Sequence, residues 1–151
     1  MNTLKAKAEE ITDSIVMSFR ADWEERLRLN TVRAVFRKKG PRSTALRFLY
    51  VYAGAPISGL IGRLLVTEYG KVSTAMALKH LNDARLSITE FREYVAEELD
   101  ICMFKVSEFQ PALRPVGCQD LKVKFGFVAP QKFFFLSPSG QVSVDTECGF
   151  A

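Results

Sequence analysis

The sequence predicts an α+β fold, a small mixed β-barrel with short helices inserted at its ends. Three observations carry this. Short runs rich in β-branched and aromatic residues recur along the chain, at 15–19, 32–36, 46–52, 58–67 and 101–109, with turn-forming residues between them. Helix-start signals fall between some of these runs and not others, which favours strands with inserted helices over a doubly wound sheet. The 151 residues are 48% apolar, with Phe the commonest aromatic. That fits one domain able to bury a real core.

Residues 1–12 are polar with helical spacing of Leu4, Ala8 and Ile11, so they read as an N-terminal helical arm. Ile15, Met17 and Phe19 alternate with Val16 and Ser18, the pattern of a largely buried strand. Asp22 stands three residues before Glu25 and predicts a capped helix carrying Trp23 and Leu27. Asn30 tolerates the left-handed conformation and stops that helix. Residues 32–36 form the second strand, and Lys38 to Ser43 form a loop around Gly40-Pro41. Residues 46–52 make a third strand that breaks at Gly54-Ala55-Pro56, and 58–67 make a fourth.

Ser73 or Thr74 caps a helix running to about Leu81 or Ala84. Ser87-Ile88-Thr89-Glu90 is a capping box. It opens a helix to about Glu98 with Phe91, Tyr94 and Val95 on its buried face and Glu93, Glu97 and Glu98 in solvent. The strand 101–109 ends at Gln110-Pro111. Leu121 to Phe125 alternates as a short edge piece would, and 131–136 is the closing strand. Ser137-Pro138-Ser139-Gly140 reads as a turn, and 138–151 as a C-terminal tail or short hairpin. The domain proper is then 13–137.

The net charge is +4, a mild excess that alone says little about partners. Its distribution says more. Arg20, Arg26, Arg28, Arg33, Arg37, Lys38, Lys39, Arg42 and Arg47 crowd one stretch, opposed only by Asp22, Glu24 and Glu25. Such a block is either a polyanion-binding face or an ordinary solvated surface. Cys102, Cys118 and Cys148 are odd in number and widely spaced, and His80 is the single histidine. That spacing suits neither a disulfide framework nor a metal site, and no cofactor is expected. No apolar run reaches the length of a membrane span, and the segment after Met1 lacks a signal peptide's apolar core. The expected location is cytoplasmic, away from membranes.

Four segments resemble, in order, the ASCH domain family of the PUA-like superfamily. Asn30-Thr31-Val32-Arg33-Ala34-Val35-Phe36-Arg37 resembles its opening motif, Gly-x-Lys followed by a strand ending in Arg. Tyr50 to Gly62, through Gly54-Ala55-Pro56-Ile57-Ser58-Gly59, resembles its strand, small-Pro turn and following strand. Ser87 to Tyr94 is similar to its inserted helix, and Ala129-Pro130-Gln131-Lys132-Phe133 to its terminal Pro-Gln-x-Phe strand. The resemblance implies a small β-barrel with a cleft, associated with RNA or with transcription and translation factors. Some members are amidohydrolases of acylated cytidine nucleosides, with a Lys, a Thr and a Glu as the catalytic set. Matching Arg37 to the motif's terminal Arg puts Val32 and Val35 where that Lys and Thr stand, while Glu90 matches the Glu. Valine is neither a general base nor a nucleophile. A one-residue slip brings Thr31 and Arg33 nearer, but an arginine stays protonated.

The favoured reading is therefore a nucleic-acid-binding module for RNA or another single strand, possessing a basic cleft rim and a regulatory role in transcription or translation. Its candidate residues are Arg33, Arg37, Lys38, Lys39, Arg42, Arg47 and Tyr52, with Phe36 and Tyr50 as further stacking faces. Two alternatives stay open: an adaptor that binds a protein partner, and a hydrolase with a rearranged site using Glu90, Thr31 and Arg33. Each candidate also has a plainer role. The aromatics fit a core, Glu90 fits a helix cap, Trp23 fits a core anchor, and His80 fits a helix surface.

Overall fold

The computed structural model describes residues 13–42, 46–126 and 133–150. The expected helical arm at 1–12 and the Ala129-Pro130 turn lie outside them. Among the described residues six strands form one sheet: β1 (Asp13–Phe19), β2 (Ala34–Arg37), β3 (Leu46–Ala53), β4 (Gly59–Ser73), β5 (Asp100–Gly117) and β6 (Phe133–Leu136). Their order is β2-β5-β4-β3-β1-β6. Only β1 and β3 run parallel; the remaining neighbours are antiparallel. The α+β class is as expected, but the barrel is not closed. Among the described residues β2 and β6 each have one ladder partner, so they are the edges of an open mixed sheet.

The short helices are α1 (Trp23–Arg28), α2 (Thr74–Ala77), α3 (Leu81–Ala84), α4 (Ile88–Val95), α5 (Cys118–Phe125) and α6 (Pro138–Cys148). Three apolar clusters follow from strand alternation. Ile15, Met17, Phe19, Leu49, Val51, Ile61, Leu64 and Phe104 line one side of the sheet, and Leu27 of α1 plugs its end. Val16, Phe48, Tyr50, Tyr52, Leu60 and Val116 line the other, covered by Leu121 of α5 and by Val144 and Cys148 of α6. Ala34, Phe36, Ile101 and Met103 pack under Ala77, Ala84, Phe91 and Val95 of α2, α3 and α4. Cys102 and Cys148 are buried and Cys118 exposed, all three free.

Several elements depart from expectation, each for a physical reason. Strand β5 runs through Gln110-Pro111 to Gly117. β2 covers only Cys102 to Lys105, so further along β5 has lost its second partner. Pro111 sits opposite Gly62 where the β4 ladder is already irregular, a place where a missing N–H is tolerated. The 121–125 piece is not an edge strand but helix α5. Gly117 precedes it in extended backbone and Gly126 ends it at φ 72°. Asp120 in its first turn and Lys122 and Lys124 in its last suit the helix dipole. Its packed pair is Leu121 and Phe125, four apart, while Val123 is exposed.

The C-terminal turn and tail are likewise helix α6. Ser137 Oγ accepts from Gly140 N–H at 3.0 Å, Pro138 occupies the first turn, and Gly149 ends the helix at φ 85°. The 73–84 helix is broken into α2, a 3-10 turn and α3. α4 stops at Val95, where Ala96 turns to φ 51°. α1 has no side-chain cap. Asp22 pairs with Arg20 at 3.1 Å instead, and Asn30 at φ 58° ends the segment as expected.

Candidate functional site

A cleft of about 510 Å³ opens where the free edge of β2 faces the end of β1 and helices α1, α3 and α4. That volume lies in the range of small-ligand sites, roughly 300–1,000 Å³. Ser18, Phe19 and Arg20 come from β1 and its exit, Trp23 from α1, and Phe36 and Arg37 from β2; Glu90, Glu93 and Tyr94 come from α4.

Arg37 is the centre of the cleft. Its place at the end of β2 puts its side chain beside Phe19, with the guanidinium 4.5 Å from that ring centre. One Nη donates to the Phe36 carbonyl at 2.8 Å and the other to the Ser18 carbonyl at 3.0 Å. Strands β1 and β2 are not ladder neighbours, so this side chain bridges the open seam of the sheet. Burial lowers the Arg37 pKa, and the nearby Tyr94 partly opposes that. Both acceptors are neutral, and no carboxylate among the described residues pairs with Arg37. A half-buried cation with neutral partners keeps its field for a ligand.

Glu90 is differently placed. Its Oε1 accepts from Ser87 N–H at 3.0 Å, closing the capping box, while Ser87 Oγ accepts from Glu90 N–H. Its Oε2 accepts from Arg26 at 2.9 Å, and the Arg26 guanidinium lies 4.6 Å from the Trp23 ring centre. The Ser87 N–H, then Arg26, hold the Glu90 carboxyl below its ordinary pKa. Its two roles therefore coexist: it lines the cleft and caps α4, with both oxygens engaged. The Glu93 side chain lines the same wall with no hydrogen-bond or ion-pair partner among the described residues.

The sequence-predicted residues separate by position. Lys38 stands at the rim: its N–H donates to Tyr94 Oη at 3.0 Å and its ammonium lies 5.6 Å from that ring centre. Lys39 and Arg42 are exposed on the same loop. Arg33 does not line the cleft; it donates to the Val32 and Ser107 carbonyls. Arg47 stacks on Phe48, on the sheet's other side, at 5.2 Å. Tyr52 and Tyr50 are buried in that same cluster, away from the cleft. Phe36 lines the cleft but is buried edge-on against Phe91. Thr31 is exposed, and Val32 and Val35 are buried core residues.

Trp23 and Tyr94 are lining residues that sequence reasoning placed in the core; Arg20 and the exposed Glu93 line the cleft too, though that reasoning singled out neither as a site residue. Tyr94 is not on the buried face of α4 but turned half out into the cleft. Trp23 is only partly buried, edge-on to Phe19. The neighbouring cations Arg20 and Lys38 were the available signals. Among the described residues no group of His, Cys, Asp and Glu is arranged to hold a metal ion, and no helix is long and apolar enough to cross a membrane.

A second polar cluster lies on the opposite side of the sheet. Arg63 is buried between the rings of Phe48 and Phe150, 3.9 and 4.2 Å from their centres. It donates to Asp145 of α6 at 3.0 Å and to Gln110 at 2.6 Å. The Tyr50 hydroxyl also donates to Asp145, and burial raises its pKa. This cluster fastens α6 to the sheet.

Comparison with solved structures gives the class: the chain has an ASCH-domain fold. The ASCH protein of Zymomonas mobilis superposes at TM-score 0.75 with 20% identity, over 88% of this chain and 94% of that one. A serine-to-alanine variant of it gives TM-score 0.78 with 18% identity, over 91% and 97%. The N-terminal domain of Staphylothermus marinus McrB is more distant, at TM-score 0.61 and 9% identity, over 91% and 96%. No family model and no curated protein matches the sequence.

Proposed function

We propose that the protein binds single-stranded nucleic acid, RNA in the first instance, with one unpaired nucleotide in the cleft and the backbone along the 38–42 loop. The observation that carries this is Arg37. It is a half-buried guanidinium lining the cleft, with only neutral acceptors. Lys38, Lys39 and Arg42 add exposed cations beside it, which suits phosphate contact. Half-buried Trp23 at the cleft wall suits a flat base. Regulation of transcription or translation would follow from which strand is held.

The same geometry favours binding over hydrolysis. Val32 and Val35 offer no nucleophile or base, and Glu90 already spends both oxygens on Ser87 and Arg26. It also disfavours capture of a peptide strand along β2. Within β2, Arg37 donates to the Phe36 carbonyl, and a charged side chain on an edge strand resists strand addition.

The test is fluorescence anisotropy against labelled single-stranded RNA, duplex RNA and duplex DNA at two salt concentrations. Single-stranded RNA is expected to bind most tightly and to weaken steeply with salt. Lys38→Ala is expected to lower the salt slope by about one if it meets a phosphate. Arg37→Ala is expected to weaken binding further while the far-UV circular dichroism stays native. A folded protein that binds none of the three at low salt would overturn the proposal.

A further inference from the structure

Resting on the reading just given, we propose that the cleft selects cytosine or guanine over adenine or uracil, and that Glu93 is the residue that completes the selection. The argument begins with what Arg37 still has to offer. A guanidinium has five N–H bonds in a rigid planar fork. The carbonyls of Phe36 and Ser18 accept from its two Nη atoms, and the rest of the fork has no acceptor among the described residues. Its natural complement is a pair of adjacent acceptors, as in the bidentate contact to guanine.

Across the cleft, α4 supplies a group of opposite chemistry. The Glu93 carboxylate is an acceptor only, and no donor among the described residues engages it. Glu90, one turn earlier, already accepts from Ser87 and Arg26, one bond to each oxygen. The cleft therefore offers paired donors from the β2 side and a free acceptor from the α4 side.

The bases differ in the order of groups along their edges. Cytosine reads O2, N3, then the N4 amino group: acceptor, acceptor, donor. Guanine reads N7, O6, then N1–H: again acceptor, acceptor, donor. Adenine reads N7, the N6 amino group, then N1, so a donor splits the acceptors. Uracil reads O2, N3–H, O4, which is split in the same way. Only the first order gives Arg37 an adjacent pair and Glu93 a donor beside it. With adenine or uracil, a base N–H faces the guanidinium or a base acceptor faces the carboxylate; Arg37 is half-buried and Glu93 exposed, so the mismatch at the guanidinium is the costlier of the two.

The test uses short oligouridine RNAs carrying one central cytidine, guanosine, adenosine or uridine, with affinities read by anisotropy. The cytidine and guanosine strands are expected to bind about tenfold more tightly than the other two, the usual worth of one well-made base contact. Glu93→Ala removes the acceptor altogether and is expected to erase that preference while retaining the salt dependence. Equal binding of all four strands by the unaltered protein would overturn this inference and leave the broader proposal standing. A preference that survives Glu93→Ala would overturn the role of Glu93. Failure of every strand to bind at low salt would overturn the broader proposal itself.

Discussion

Glu90 shows how one side chain can be visible in the sequence for one reason and serve two. The spacing Ser87 to Glu90 announces a capping box, and both of its hydrogen bonds are present. The ion pair with Arg26, 64 positions earlier, had no local signal. The two contacts act on the same proton equilibrium. Because the folded carboxyl titrates below its ordinary value of 4.5, folding favours the ionised form. The associated stability is complete above the unfolded value and is lost as the pH falls through the lower folded value. Glu90→Gln keeps an acceptor for Ser87 N–H but removes the charge. It is expected to lower the melting temperature at pH 7, and the gap to the unaltered protein is expected to be smaller at pH 3. A gap of equal size at both pH values would assign the effect to packing. Gly62 makes a different point at the same scale. A Cβ there would lie 2.5 Å from the Gln110 carbonyl oxygen and the Phe109 ring. Gly62→Ala is therefore expected to cost about 1–3 kcal/mol in urea denaturation, the usual penalty for overpacking.

Among the elements, local chemistry was legible where one rule acted alone. The strands β1 to β4 and the cap of α4 follow from alternation and from a single motif. Helices α5 and α6 were misread because two rules competed. Leu121, Val123 and Phe125 alternate like a strand, yet the glycines flanking them and the pairing of Leu121 with Phe125 decide for a helix. Ser137-Pro138 is both a turn signal and a helix start; Val144 and Cys148, four apart and fully buried, favour the helix. What holds α6 in place could not be read locally at all. Arg63 on β4 meets Asp145 on α6 only after the sheet has formed. Both side chains are largely buried, so removing one leaves the other charge uncompensated. Asp145→Ala is expected to destabilise the protein by about 3 kcal/mol, with loss of protection in α6 by hydrogen exchange before the rest of the sheet. Destabilisation below about 1 kcal/mol would place the pair in the class of solvent-screened surface ion pairs.

The cleft exists at the scale of the whole molecule, which is why only part of it was legible. Arg37 stood out because it matches the terminal Arg of the opening motif that residues 30–37 resemble. Glu93 and Tyr94 looked like ordinary helix residues until α4 was laid against the free edge of β2. The strand order also decides what Arg37 does mechanically. A sheet of order β2-β5-β4-β3-β1-β6 leaves β1 and β2 without a ladder between them, yet the curl of the sheet brings Ser18 within 3.0 Å of the Arg37 guanidinium. One side chain thus spans the gap that backbone pairing would fill in a closed barrel. Arg37→Met keeps an unbranched apolar stem against Phe19 and removes both donated bonds. With charged hydrogen bonds worth about 1.5–3 kcal/mol, the variant is expected to lose stability in that range. Hydrogen exchange distinguishes a latch from a general core contact. If Arg37 is a latch, amides of β2 and of the end of β1 exchange faster in the variant, while those of β3 and β4, paired on both sides, keep their protection. Uniform acceleration across all six strands would show instead that Arg37 supports the core as a whole. In that case its part in ligand binding would have to be measured with the fold held constant by Arg37→Lys, which keeps the charge but not the planar fork.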